Sequence, residues 1–139
     1  MSAETNKTLA RRLPLEAYNK GNIAVFDEVV AAEVIDHFPP PGFPPGREGY
    51  KMFVPALRAA FPDLTYSLDL EIVEGDKVVH KATARGTHRG EFMGIPGTGK
   101  QVVWTETHIL RFANGQVVEH WGNADQAGMM QQLMPPQGL

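Results

Sequence analysis

The dipeptide Asn114-Gly115 stands between two runs rich in Val, Ile, Thr and aromatic residues, 101–113 and 116–123. A two-residue hairpin of type I′ needs positive φ at both central positions, which Asn and Gly tolerate best, so the pair predicts a tight antiparallel turn. The turn fixes register, and register decides which side chains share a face. An antiparallel sheet in the C-terminal half therefore follows first.

The residues before it agree. Leu64, Tyr66, Leu68, Leu70 and Ile72 alternate with Thr65, Ser67, Asp69 and Glu71, the period of a strand. Glu74-Gly75-Asp76 reads as a hairpin turn into a further strand over 77–88, and the Gly- and Pro-rich stretch 89–100 links it to the strand at 101. The first 60 residues have the other period. Leu9, Leu13, Ala17 and Tyr18 recur at helical spacing over 5–20, with Pro14 kinking or restarting the helix and Gly21 ending it. Asn22 fits an N-cap for a short helix over 23–30. A short extended piece, 34–38, runs into Pro39-Pro40-Pro41-Gly42, and a third helix is expected over 47–60, interrupted by Pro55. Helices followed by four long antiparallel strands predict one α+β domain over 1–139. A strongly curved sheet packed on its helices would enclose a conical cavity.

Composition narrows the chemistry. Apolar residues make up 42% and charged residues 21%, the balance of a globular domain, and a net charge of -3 offers no basic surface for nucleic acid or anionic membrane. No apolar run approaches the roughly 20 residues of a membrane span. With Cys at 0, disulfides, thiolate metal sites and a cysteine nucleophile are excluded, and a cytoplasmic location is expected. Nucleotide, flavin and nicotinamide signatures are absent, as are helical histidine pairs spaced for a metal. An enzyme of this sequence is expected to work by proton transfer, with no metal and no cofactor.

Strand alternation sorts the candidates. Trp104, Glu106, His108, Leu110 and Phe112 share one side of their strand, an acid and an imidazole among apolar neighbours. On the last strand His120 and Trp121 point to opposite faces, and parity leaves open which one meets the cavity. Asp125 follows them, and a carboxylate near large aromatic surface is a common way to raise a pKa and make a general base. Asp36 and His37 precede the Pro-rich loop, where His37 would line a cavity entrance. His88 stands at the mouth of the Gly-rich connection, whereas His80, among small residues, reads as a solvated or packed surface histidine. Phe53, on the apolar side of the third helix, is expected to contribute a wall.

Taken in order, Asp36-His37, Gly46-Arg47-Glu48-Gly49, Ala60-Phe61-Pro62-Asp63, Glu74-Gly75-Asp76-Lys77-Val78-Val79 and Gly86-Thr87-His88-Arg89-Gly90-Glu91-Phe92 resemble the SnoaL-like polyketide cyclase family, within the nuclear transport factor 2-like superfamily of cone-shaped α+β barrels. The series continues through Gly94-Ile95-Pro96-Gly97-Thr98-Gly99 and Arg111-Phe112 to Glu119-His120-Trp121 and Asp125. The family's frequent Pro-Pro-Thr-Gly is here Pro96-Gly97-Thr98-Gly99. The resemblance implies a cofactor-independent cyclase that abstracts a proton α to a carbonyl and closes a ring by an intramolecular aldol step. It implies Asp125 as acid/base, with His37 and His108, and less directly His88 and His120, lining the pocket of a small apolar or polyketide-like ligand. Trp121, Glu106 and Trp104 join them as expected binding residues. Homodimers or homotetramers are implied as well. The superfamily also hosts isomerases, epoxide hydrolases and non-catalytic binding modules. An epoxide hydrolase would need a carboxylate-arginine-carboxylate cluster, here Asp125 and Glu106 with Arg85 or Arg111.

Overall fold

A computed structural model describes residues 2–134. Ser2 caps helix α1 (Ala3–Arg12) by accepting from the Thr5 N–H. Pro14 has no N–H to give the carbonyls of the preceding turn, and the chain answers by widening into a π-helical turn over Leu13–Tyr18 rather than breaking. The helix expected over 5–20 is therefore two joined segments. α2 (Ala24–Val29) starts from Ile23, while the expected cap, Asn22, offers its backbone carbonyl to Val25. α3 (Arg47–Ala60) has the expected limits and runs on through Pro55.

The strands are β1 (Val30–Asp36), β2 (Thr65–Glu74), β3 (Lys77–Thr87), β4 (Gln101–Ala113) and β5 (Gln116–Ala124), with helix α4 (Gln126–Leu133) last. They form one five-stranded sheet in the order β1-β5-β4-β3-β2. The β4–β5 hairpin is as expected, with Asn114 at φ 51 and Gly115 at φ 77. β1 is a correction. The short extended piece begins earlier than position 34 and pairs in parallel with β5, setting Asp36 directly opposite His120. The sheet does not close, since β1 and β2 are its edges. The cone is thus a curved, mainly antiparallel sheet lidded by helices, not a closed barrel.

Inward side chains form two apolar clusters. One joins Ala10, Val25, Phe26 and Val54 to Val78, Phe112 and Val117; the other joins Leu57, Phe61 and Leu64 to Trp104, Met129 and Leu133. Burying a side chain such as Phe61, 0% exposed, stabilises by roughly 1.5–3 kcal/mol. Tyr18 packs against both clusters. α4 is held to the sheet by Met129 and Leu133 and by the Gln132 amide, which bonds both the N–H and the C=O of Val103. Among the described residues no helix is long and apolar enough to cross a membrane.

Candidate active site

Four titratable side chains from three neighbouring strands are linked end to end. Asp36 Oδ1 lies 2.9 Å from His120 Nδ1, His120 Nε2 lies 2.8 Å from His108 Nδ1, and His108 Nε2 lies 2.7 Å from Glu106 Oε1. Glu106 Oε2 accepts from the Tyr66 hydroxyl and the Trp104 indole, each at 2.7 Å. Asp36 Oδ1 also accepts from the Phe38 N–H, and the Tyr50 hydroxyl beside His120 donates to the Phe38 carbonyl. The two imidazoles stack with centroids 5.1 Å apart over Gly122, where a side chain would not fit.

Each of the three links needs one bridging proton, and ionised carboxylates only accept. With Asp36 and Glu106 ionised, the two histidines share three protons, one more than two neutral imidazoles hold, and the relay carries a net charge of −1. Burial works to raise the Glu106 pKa, but the hydrogen bonds from His108, Tyr66 and Trp104 outweigh it and hold the carboxyl below the usual range. Asp36 behaves alike: burial raises, while His120, Tyr50 and the Phe38 N–H lower further. Both carboxylates therefore stay charged at neutral pH.

Glu106 and His108, at one end of the relay, stand between two apolar lobes. The inner lobe, about 690 Å³ with its open mouth included, lies between the π-turn and the sheet and is walled by Leu13, Phe26, Leu68 and Leu110. The outer lobe, about 600 Å³, lies beneath the Pro-rich loop and α4 and is walled by Phe38, Phe53, Trp104 and Met129. Glu106, His108, Tyr18, Tyr50 and Tyr66 line both. Among the described residues the Tyr18 hydroxyl has no hydrogen-bond partner, yet it is not sealed from the cavity. Burial, then the charges of Glu106 and Asp36, push its pKa above the ordinary phenol value, so it remains a donor.

Of the residues expected from sequence, Glu106, His108, His120, Trp104 and Phe53 meet at this cavity. Four do not. Asp125 is exposed and caps α4, its Oδ1 accepting from Gly128 N–H at 2.9 Å, so among the described residues no apolar pocket encloses it. His37 lies exposed on the outer face, bonded to Glu119 and stacked on Trp121 at 5.2 Å, which takes both rings away from the cavity. His88 is fully buried but pins the Gly-rich connection, its Nδ1 bonding Thr98. The cluster considered for epoxide hydrolysis does not form either: Arg111 pairs with Glu119, and Arg85 is exposed.

Sequence reading missed Asp36, Tyr18, Tyr50, Tyr66 and His80 as cavity residues. For Asp36 the cause is the parallel pairing of β1 with β5, and for the open choice between His120 and Trp121 it is a bulge in β5. Arg111 opposes Glu119 while Phe112 opposes Val117, so Val118 is an extra residue that flips the parity of all that follows. Val117 and His120 consequently both face inward, although they are three positions apart.

Two expectations arise here. Asp125→Ala is expected to cost about 1 kcal/mol through loss of the cap, seen in urea unfolding, and to leave turnover intact; loss of turnover with an intact fold would restore Asp125 to the chemistry. The second concerns acid. Burial lowers the His80 pKa, with Glu71 opposing, and Asp36 and Glu106 are lowered too. Groups depressed in the folded state stabilise above their unfolded pKa, and that contribution is lost as pH falls through the folded value. Melting temperature is therefore expected to begin falling below about pH 6.5 and to steepen below about pH 4. A melting temperature that rises on acidification through that window would contradict this.

Residues 8–133 match the family model described as SnoaL-like polyketide cyclase. The chain is similar to aklanonic acid methyl ester cyclase of Streptomyces peucetius, 29% identical over 138 residues, covering 95% of this chain and 92% of that protein. It is 24% identical over 128 residues to nogalonic acid methyl ester cyclase of Streptomyces nogalater, with 88% and 92% covered. Among solved structures, TsrD from Streptomyces laurentii superposes with a TM-score of 0.86 at 28% identity, covering 96% of this chain and 97% of that one. IdmH from Streptomyces antibioticus gives 0.79 at 34% identity, covering 92% and 97%.

Proposed function

The chain belongs to the SnoaL-like polyketide cyclase family, and from that premise we propose that it closes a ring in a polyketide-like ester by an intramolecular aldol reaction. The observation that carries the reading is the relay bridging two apolar lobes, with Glu106 and His108 at the septum. A carboxylate offers about four lone-pair positions, and Glu106 uses three of them on His108, Tyr66 and Trp104. The position left on Oε1 is the proton acceptor.

The chemistry then balances without a further reactant. Glu106 takes a proton from the carbon α to a carbonyl, and the C–H electron pair becomes an enolate whose oxygen accepts from Tyr18. The enolate carbon attacks a second carbonyl of the same molecule, forming the new C–C bond. The resulting alkoxide takes the proton back from Glu106. A ligand folded across the septum holds the two reacting carbons as a near-attack pair. Asp36 and the shared imidazole protons keep His108 aimed at Glu106 throughout.

Aklanonic acid methyl ester and nogalonic acid methyl ester, the compounds in the relatives' names, are the compounds to try first. Chromatography is expected to reveal a product of unchanged mass with one carbonyl fewer, and in D2O the unreacted ester is expected to take up deuterium at the α carbon by reversal of the first step. A bound ester recovered unchanged and free of deuterium would instead mark a binding module without chemistry.

A further inference from the structure

The inner lobe holds one polar side chain that the relay and its tyrosines do not account for. His80, 3% exposed, stands on β3 opposite His108 on β4 and lines that lobe. Its Nε2 lies 2.9 Å from Glu71 Oε2, and Arg11 of α1 clamps the other carboxylate oxygen, Oε1, at 2.9 Å through Nε and 2.7 Å through Nη2. Oε1 is thus occupied by a guanidinium, and Oε2 is left to accept from the ring. That places the proton of the neutral imidazole on Nε2 and leaves Nδ1 as a bare acceptor. Nδ1 bonds no described residue and is not among the sealed, unpartnered atoms, so it keeps accessible surface on a side chain that lines the lobe. A site so constructed rewards a ligand that brings a donor to it and penalises one that cannot.

We propose that His80 is a specificity-determining residue whose Nδ1 accepts a hydrogen bond from a hydroxyl on the ring system lodged in the inner lobe, with Glu71 and Arg11 fixing its tautomer. The assignment rests on the reading that the cavity takes a polyketide-like ligand, and it names the chemistry selected there: a phenolic or enolic hydroxyl pointing toward β3. Burial keeps the ring neutral, since desolvation lowers its pKa more than Glu71 raises it.

The test uses 2-naphthol and 2-methoxynaphthalene, which differ in having or lacking the donor, with affinities measured by calorimetry on the full-length protein. The wild type is expected to favour 2-naphthol by about tenfold, the worth of one hydrogen bond in a dry site. His80→Phe is expected to bring the ratio to about one while keeping affinity for the methoxy compound. In Glu71→Gln the amide oxygen stays on Arg11 and the amide NH2 donates to Nε2. The ring proton must then move to Nδ1, and because a phenol oxygen and an aryl ether oxygen both accept, the preference is expected to fall to about one while affinity for 2-methoxynaphthalene rises. A merely structural role of Glu71 would weaken both probes together. A wild type without the preference, or a preference for 2-naphthol surviving in either variant, would overturn the proposal. Neither probe has an acidic C–H beside a carbonyl. A failed cyclisation assay with this selectivity intact would therefore sink the reaction alone, and the converse result would sink the subsite alone.

Discussion

Glu106→Gln is expected to reduce ring closure by about 10²–10⁴-fold, the range that a positioned acid–base group supplies, while the protein still folds and binds ligand. The reason lies in how the amide fits the relay. Its oxygen can keep the donors Tyr66 and Trp104, and its NH2 can donate to His108 Nε2. His108 then donates through Nδ1 to His120, and His120 through Nδ1 to Asp36, so each of the three links retains one proton. What vanishes is the ionised oxygen that would receive a proton from carbon. Circular dichroism, ligand titration and turnover on the same preparation separate these effects. Undiminished turnover in this variant would exclude Glu106 as the base.

Gly122→Ala is expected to damage the fold and the relay together. In an ordinary strand, replacing Gly by Ala stabilises by about 0.4–1 kcal/mol through the unfolded chain. Here a Cβ would come within 2.8 Å of His108 Nδ1, 2.8 Å of Phe38 Cδ2 and 3.1 Å of His120 Nε2. It would thus wedge apart the two imidazoles that share the central proton. The expected outcome is destabilisation of about 1–3 kcal/mol, as for other overpacked sites, with activity falling at least about 100-fold as the relay is cut. Urea unfolding reads the first and turnover the second. A gain in stability would show that the rings move aside freely and that the stack is loose.

Much of this architecture is legible in the chain. The change of period near residue 64, the Asn114-Gly115 turn and the apolar face of α3 each follow from local chemistry, and each is found. Strict alternation also puts Glu106 and His108 on the inward face of β4, because β3 and β4 pair without a bulge. The site's other half depends on pairing between distant segments. That β1 would lie parallel to β5 has no local signal, and with it goes the contact of Asp36 with His120. The bulge at Val118 decides between His120 and Trp121, yet nothing in Val117-Val118-Glu119 announces it. Asp125 is different, for a legible signal existed: Asp immediately before Gln126-Ala127-Gly128 has the form of an N-cap. Neighbouring aromatics in sequence suggested a pocket that strand direction does not provide.

The position of β1 has a consequence for the working population of molecules. It is an edge strand, tied to the sheet only through β5, and its register slips between Val30 and Ile35. Edges are where native proteins open locally, at a free-energy cost below that of global unfolding. When β1 unlatches, Asp36 leaves with it, while β5-β4-β3-β2 keep Glu106, His108 and His120 in place. Opening of that one seam would take Asp36 out of the relay and leave the base in place.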